Sequence, residues 1–318
     1  GVELELAAGG LDDGGEAVAD GGGGVHALLA DDVGGGVFLL DDDRLEPARA
    51  SLAEAGEIAS AESRLRSDRR RETARPRPDA DELHAVRIWT WSEIRLGECL
   101  YRLQETAAAL AHLNRTLDAG GELTQWGAAL SDQEALTTAL SDRGQVFEAL
   151  DDPESACRDY QRAAAVIEES LEREEKVEWL RRLVNILRMQ GAVARRSSGA
   201  ARAVEIYAEM ERYATRVYGD TGDHRDLRDL AFAVSQRADC LHEAMGPAEA
   251  CDPYDSAVEA LSSLVQAGAV DLRPELAKAL DGRCRANRDR GNVDAALMDN
   301  ERSVAVWSTV EAILRRRG

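Results

Sequence analysis

Small residues recur along this chain at a nearly constant interval. Four of them lie 47 residues apart and a fifth follows after 46 more: Gly97, Gly144, Gly191, Ala238 and Cys284. A fixed period of this length is the signature of a stacked array of similar units, each of which packs only on its neighbours. The interval therefore predicts an extended array and argues against a single compact core.

Side chains of the same kind return at fixed distances from each small residue. Alanine stands twelve residues after all five, and a ring or a leucine stands sixteen residues after the first four. These positions are Ala109, Ala156, Ala203, Ala250 and Ala296 for the alanine, and Leu113, Tyr160, Tyr207 and Tyr254 for the larger side chain. Because helices approach closely only where both carry short side chains, the small residue and the alanine predict the seam of an antiparallel helix pair. The larger side chain then fills the wider part of that seam.

Turn and capping residues divide the units into helices. Asp152-Pro153-Glu154 supplies an N-cap, a first-turn proline and an acid near the positive end of a helix. Gly246-Pro247 ends one helix and begins the next. The predicted pairs are 81–104 with 105–118, 131–150 with 152–173, 174–197 with 199–218, 223–245 with 246–267, and 271–290 with 292–316. We therefore predict an all-α chain of about five helix-turn-helix repeats.

The offsets of glycine, large residue, alanine and aromatic residue resemble the consensus of the tetratricopeptide repeat (TPR). The match covers residues 81–316. The period exceeds the usual length of about 34 residues, as in the long-helix variant of the family found in bacterial signalling proteins and kinesin light chains. The resemblance implies a right-handed α-α superhelix, or solenoid. In the last unit Asn287, Asn300 and Ser303 replace apolar residues, which predicts a capping repeat with a wetter outer face, and Trp307 is expected to pack against a neighbouring unit.

Composition divides the chain into three parts. Residues 1–45 form an acidic, glycine-rich segment whose fold the pattern does not predict. Residues 46–80 predict a helix followed by a basic, proline-containing linker, a pattern that fits a decayed repeat. Residues 81–318 form the predicted TPR-like repeat domain. The formal net charge is −21, and much of it lies in the N-terminal segment.

The sequence lacks the motifs of common catalytic sites. Its two lysines, Lys176 and Lys278, do not follow glycine, so there is no phosphate-binding G-x-x-x-x-G-K-[ST] loop. There is no H-E-x-x-H motif, no G-x-S-x-G motif and no C-x-x-C pair. We therefore predict no catalytic residues, no cofactor and no metal ligands. No apolar run approaches the roughly 18 residues of a membrane span, and we expect a cytoplasmic protein.

The resemblance implies that the first helix of each pair lines the concave face, through positions around the small residue. Positions six before, three before and one after it are Phe232, Ser235 and Asp239 in the fourth unit, and Lys278, Asp281 and Arg285 in the last. From all units, the candidate peptide-binding residues are Arg95, Tyr101, Arg102, Asn185, Arg188, Arg195, Arg196, His242, Arg285 and Arg288. Guanidinium groups bind carboxylate and phosphate in two-pronged fashion. The alternative is that a chain with 37 arginines and two lysines places arginine on any solvated helix face.

These observations favour a non-enzymatic scaffold that holds a peptide or helical segment of a partner protein in the concave groove. The arginines indicate acidic or phosphorylated groups on that partner, and the resemblance extends the hypothesis to the sensor part of a larger bacterial signalling protein. The alternative is an enzyme whose small active site is supported by the helical array and involves the N-terminal segment. Net acidity disfavours nucleic acid as a partner, and self-association is left open.

Overall fold

The computed structural model describes residues 44–72, 78–125 and 130–317, and the regular structure of these ranges is entirely helical. The helices are α1 (Leu45–Glu72), α2 (Ala80–Arg102), α3 (Thr106–Gln125), α4 (Leu130–Ala149), α5 (Pro153–Arg173), α6 (Val177–Ser197), α7 (Ala200–Thr221), α8 (His224–Met245), α9 (Pro247–Gln266), α10 (Arg273–Asp289) and α11 (Val293–Arg317). The all-α prediction is confirmed. Most of the acidic, glycine-rich segment predicted over 1–45 lies outside the described residues.

The helix bounds agree with the sequence prediction except at two places. Helix α3 continues to Gln125 instead of ending at 118, through Gly120 and Gly121. Each of these glycines weakens a helix by about 1 kcal/mol relative to alanine, and this cost is too small to end the helix. Helix α3 is therefore about as long as the other second helices. The second difference is a short 3-10 turn, Val270–Leu272, that precedes α10.

The helices form a stack in which one set of helices shares a face. Each helix contacts its neighbours along the chain, and the first helices of successive pairs also contact one another: α2 with α4, α6 with α8, and α8 with α10. The first helices therefore lie side by side, with the second helices behind them. The described chain is an all-α helical repeat solenoid, as the sequence predicts.

A buried ring lies over the glycine at the seam of the central pairs. A Cβ atom built on Gly144 would lie 2.6 Å from the Tyr160 ring, and one on Gly191 would lie 2.7 Å from the Tyr207 ring. Both tyrosines are buried, and so are the five alanines that stand twelve residues after the small positions. Real Cβ atoms do not approach other atoms this closely. The predicted seam is confirmed.

Ion pairs with a buried carboxylate follow the same period as the seam. They are Arg143–Asp159, Arg283–Asp299, Arg87–Asp132 and Arg181–Asp226. In the first two pairs the guanidinium of a first helix binds both carboxylate oxygens of a residue sixteen positions on, in the second helix of its own unit. In the other two it binds both oxygens of a residue 45 positions on, in the next first helix. Units are thus joined internally and to each other by charge-assisted hydrogen bonds.

Helix α1 packs along α2 at the N-terminal end of the described stack. Its Ala48, Leu52 and Ala55 are fully buried, and the Cys99 thiol of α2 donates a hydrogen bond of 3.1 Å to the backbone of α1. This contact is the one that the second helix of a preceding pair would make. The assignment of 46–80 to a decayed repeat, and of 81–318 to the repeat domain, stays a prediction.

The last unit exposes an apolar face where a wetter one was expected. Leu297, Val304 and Trp307 of α11 are 56%, 56% and 37% exposed. The expectation that Trp307 packs against a neighbouring unit is wrong, because its side chain is exposed and its hydrogen-bond partner belongs to the first helix of its own unit. The indole Nε1 instead donates a long hydrogen bond of 3.4 Å to Asp281 of α10. Of the three polar residues expected to make this face wetter, Asn300 is exposed, Asn287 is partly buried and Ser303 is buried.

We predict that Gly191→Ala destabilises the protein although alanine favours helix. The added methyl group meets the buried Tyr207 ring, and such overpacking costs about 1–3 kcal/mol, more than the gain of about 1 kcal/mol in helix propensity. The matched control is Gly219→Ala in α7, where an added Cβ meets nothing within 4 Å and stability should rise. Urea unfolding measures both. Equal stability of Gly191→Ala and the wild type would contradict the proposed role of the glycine.

Candidate binding groove

A pocket of about 520 Å³ opens between the first helices of the last two units. We call it the α8–α10 pocket; its walls include Phe232, Ser235, Gln236 and Asp239 from α8, Glu275, Lys278, Asp281 and Arg285 from α10, Arg188 from α6 and Tyr254 from α9. Seven of these lie six before, three before or one after the small residue of their unit. The offsets taken from the sequence therefore locate the lining of the pocket.

Phe232 provides the aromatic wall of the pocket. Its ring packs edge-on against Tyr207, with centroids 6.4 Å apart, and the Arg188 guanidinium lies 5.0 Å from its centroid. This contact between cation and ring face holds both side chains in place. The pocket therefore offers one preformed aromatic surface among polar side chains.

The charges around the pocket balance. Four cations and four anions line it: Arg188, Arg228, Lys278 and Arg285 against Asp229, Asp239, Glu275 and Asp281. The Tyr254 hydroxyl donates to Asp239, which also accepts a hydrogen bond of 3.0 Å from Arg285. Burial, and then the Asp239 carboxylate, raise the pKa of Tyr254 above its ordinary value, so the phenol stays neutral and remains a donor.

Some polar groups of the pocket have no partner in the part of the chain that the structure describes. Ser235, Gln236 and Lys278 make no hydrogen bond or ion pair there, whereas Arg188 pairs with Asp229. Three buried atoms of pocket side chains are also without a hydrogen-bond partner: Arg188 Nε, Arg228 Nε and Glu275 Oε2. The polar groups of Ser235, Gln236 and Lys278 are thus available to a bound chain, whereas the three buried atoms are not accessible to one.

The structure brings only two of the ten predicted groove residues, Arg188 and Arg285, into the α8–α10 pocket. His242 and Arg288 lie further along the same helices, and both contact Asp289, at 3.1 Å and 3.2 Å. Asn185 is exposed on α6.

Three predicted residues lie at the other end of the stack, on α2. Arg95 pairs with Glu98 at 2.9 Å and lies 5.6 Å from the Trp91 ring centroid. Tyr101 is partly buried and Arg102 is exposed. They are three units away from the pocket, so the ten predicted residues do not form one site in the described chain.

The arginines of α6 form a ladder of ion pairs with the neighbouring units. Arg196 pairs with Glu148 of α4, and Arg195 pairs with Glu243 of α8 at 3.0 Å. Arg182 likewise pairs with an acid of α4, and Arg188 with one of α8. Each partner lies 41 to 48 residues away, about one period. Their charges are therefore engaged by neighbouring units, and their role in binding a partner stays a prediction.

Most of the side chains that line the pocket are not arginines and are absent from the ten predicted residues. Phe232, Ser235, Lys278 and Asp281 occupied predicted groove positions, but no feature of their own unit marks them. The sequence does place an acidic residue about one period away from each arginine of α6. An arginine that pairs with such an acid is a poor candidate for a residue that binds a partner.

A carboxylate at the N-terminal end of the groove is unusually hard to ionise. Desolvation in the α4 helix, and then the nearby Glu98 charge, raise the pKa of Asp142 to about 7, although Arg95 opposes the shift. Asp142 is therefore largely protonated in mildly acidic solution. In the described residues no cluster of His, Cys, Asp and Glu is arranged to hold a metal ion.

The fold and groove define the class of an all-α helical repeat protein with an open face, and solved structures agree. BtubC (BKLC) from P. vanneervenii is 15% identical, with 82% of this chain and 92% of that chain covered and a TM-score of 0.55. The apo form of RapI is 12% identical, with 88% and 76% covered and a TM-score of 0.53. A kinesin light chain from Podosopora anserina, with nearly identical TPR-like repeats, is 12% identical, with 70% and 95% covered and a TM-score of 0.51. These likenesses show the fold.

No family model matches the chain, and no curated protein matches it. Among the described helices, none combines the length and apolar character that crossing a membrane requires.

We predict that Asp142→Asn stabilises the protein at pH 8 and has little effect at pH 4. The folded pKa of about 7 lies above the ordinary value of 3.8, so the folded state keeps its proton longer than the unfolded state, and stability falls as pH rises from about 4 to 7. An amide cannot ionise and avoids this loss. Melting temperatures of wild type and variant across that range measure the effect, with exposed Asp118→Asn as the control. An unchanged or lower melting temperature at pH 8 would contradict it.

Proposed function

We propose that this protein is a non-enzymatic scaffold whose groove binds a peptide or helical segment of a partner protein, centred on the α8–α10 pocket. The observation that carries the proposal is the pocket itself, about 520 Å³ between two first helices, within the range of specific binding sites. It lies on the face where successive first helices meet, so an extended segment can enter it and continue along the neighbouring helices.

The chemistry of the pocket suits a peptide. Phe232 can receive an apolar side chain, while Ser235 and Gln236 offer hydrogen bonds to the amide groups that every peptide carries. The balanced charges around them favour a segment with polar residues of both signs over a uniformly charged one. Specificity then comes from matching these groups, with the aromatic wall as the anchor.

Within this proposal, Lys278 is the residue that supports an acidic or phosphorylated partner. Its ammonium group is exposed and has no ion-pair partner in the described residues, whereas Arg188 and Arg285 must exchange Asp229 and Asp239 for the ligand. An acid beside Lys278 would gain a charge-assisted hydrogen bond without that exchange. The further role as sensor of a larger bacterial signalling protein belongs to the same proposal.

The enzyme alternative places its active site with the N-terminal segment. Residues 1–43 of that segment lie outside the described part of the chain, and no observation in the described part favours this alternative over peptide binding.

We predict that Ser235→Arg weakens the binding of peptides selected against the wild-type protein. A displayed library of random dodecapeptides supplies the ligands, and calorimetry with the purified peptides measures the dissociation constant. The long side chain fills the pocket beside Phe232, so we expect the constant to rise at least about tenfold, or about 1.4 kcal/mol. Peptides that bind the variant as tightly as the wild type would place the site elsewhere and contradict the proposal.

We predict that Lys278→Glu weakens only those selected peptides that carry an acidic or phosphorylated residue. The charge reversal replaces attraction by repulsion at that residue, and the effect should shrink at high salt. Lys176→Glu is the matched control, because it reverses the other lysine of the chain, which is exposed outside the pocket and pairs with Glu174. If the two reversals have the same effect, Lys278 does not contact the peptide.

A further inference from the structure

The α8–α10 pocket is elongated along the two helices that form it. Its lining residues from α8 and α10 face each other at equivalent positions, 46 residues apart: Asp229 with Glu275, Phe232 with Lys278, Ser235 with Asp281, and Asp239 with Arg285. These four levels extend over about 15 Å of each helix, at 1.5 Å per residue. An extended segment of about four or five residues has this length, so the pocket can hold one in line with the helices.

Three charged side chains of the pocket have no ion pair in the residues that the structure describes. The other charged side chains are paired: Arg188 with Asp229, Arg285 with Asp239, and Arg228 with Asp271. The unpaired ones are Glu275, Lys278 and Asp281, which share one side of α10 because they lie three residues apart. Two carboxylates therefore remain against one ammonium group, an excess of one negative charge.

Both carboxylates can accept a new partner. Asp281 accepts a long hydrogen bond of 3.4 Å from the Trp307 indole and forms no other hydrogen bond in the described chain. Glu275 is partly buried, and its Oε2 atom is buried without a hydrogen-bond partner. A carboxylate that water solvates poorly gains more from a nearby cation than a fully solvated one does. A cation that reaches the Oε1 atom of Glu275 therefore binds more tightly than it would on an open surface.

We propose that the segment bound in this pocket carries two basic residues, one beside Glu275 and one beside Asp281. The inference rests on the proposed function, because it names the ligand chemistry of the same pocket. The two acids lie about 9 Å apart along α10, and an extended chain covers about 7 Å in two residues and about 10 Å in three. One or two residues therefore separate the two bases, and they lie at the level of Phe232 and Lys278, where an apolar or acidic side chain fits.

The charge of the whole chain favours the same ligand. Its formal net charge of −21 attracts cationic segments from a distance and repels strongly acidic ones. This long-range attraction selects only the sign of the ligand, whereas Glu275 and Asp281 select the positions of its bases. An experiment on the ligand must therefore separate the two effects.

The first experiment selects random dodecapeptides on the wild type and on the double variant Glu275→Gln, Asp281→Asn. The wild type should enrich pairs of Lys or Arg separated by one or two residues, and the double variant should not. The matched control is Asp252→Asn, Glu259→Gln, which removes two exposed carboxylates of α9 outside the pocket and should keep the enrichment. Equal loss of the enrichment in both double variants would show an effect of net charge alone and overturn the inference.

The second experiment assigns each base to its acid by calorimetry. Glutamine replaces each basic residue of one selected peptide in turn, and each replacement should weaken binding to the wild type about fivefold. One replacement should lose its effect on Asp281→Asn and the other on Glu275→Gln; if both keep their effects on both variants, the inference is wrong. Peptides without paired bases that Ser235→Arg still weakens would overturn this inference and leave the proposed function standing. Peptides that Ser235→Arg leaves unchanged would overturn both.

Discussion

The contact between a glycine and the ring sixteen residues later determines most of this structure. Gly144 with Tyr160 and Gly191 with Tyr207 let two helices approach at a distance that a Cβ atom would forbid. Because the ring is held by its own helix, it also sets how the two helices rotate about their axes. That rotation decides which side of each first helix faces the next unit and which side faces the groove, so the groove positions follow from the seam.

The fourth unit shows what happens when this contact changes. Ala238 takes the place of the glycine, and Tyr254 meets Gly282 of the following unit, where an added Cβ would lie 2.3 Å from its ring. The ring thus bridges two units, and its hydroxyl reaches Asp239 on the groove side. The pocket forms at this place, which indicates that the departure from the repeated contact helps to shape it.

Packing was predictable from the sequence, and the groove only in part. The alanine of the seam repeats in all five units, and the glycine and the tyrosine each recur in three, so the pattern identifies these buried positions without any knowledge of the fold. Groove side chains do not repeat, and whether each one is paired depends on residues about one period away. Arg195 and Arg196 looked like a free basic patch within their own unit, but Glu243 and Glu148 of the adjacent units oppose them. A pattern within one unit carries no information about such pairs.

The ion-pair ladder and the pocket divide the groove into two kinds of surface. Around α6 the exposed charges join units to each other, and removing one partner would leave an opposite charge unpaired. Around α8 and α10, the side chains of Ser235, Gln236 and Lys278 form no such pairs between units. They can therefore be replaced by other residues without weakening the stack. Since a repeat array is stabilised by the interfaces between neighbouring units, residues free of those interfaces are the ones able to diversify for a partner. The physical constraint that builds the array therefore leaves free to vary the pocket side chains on which the proposed binding specificity rests.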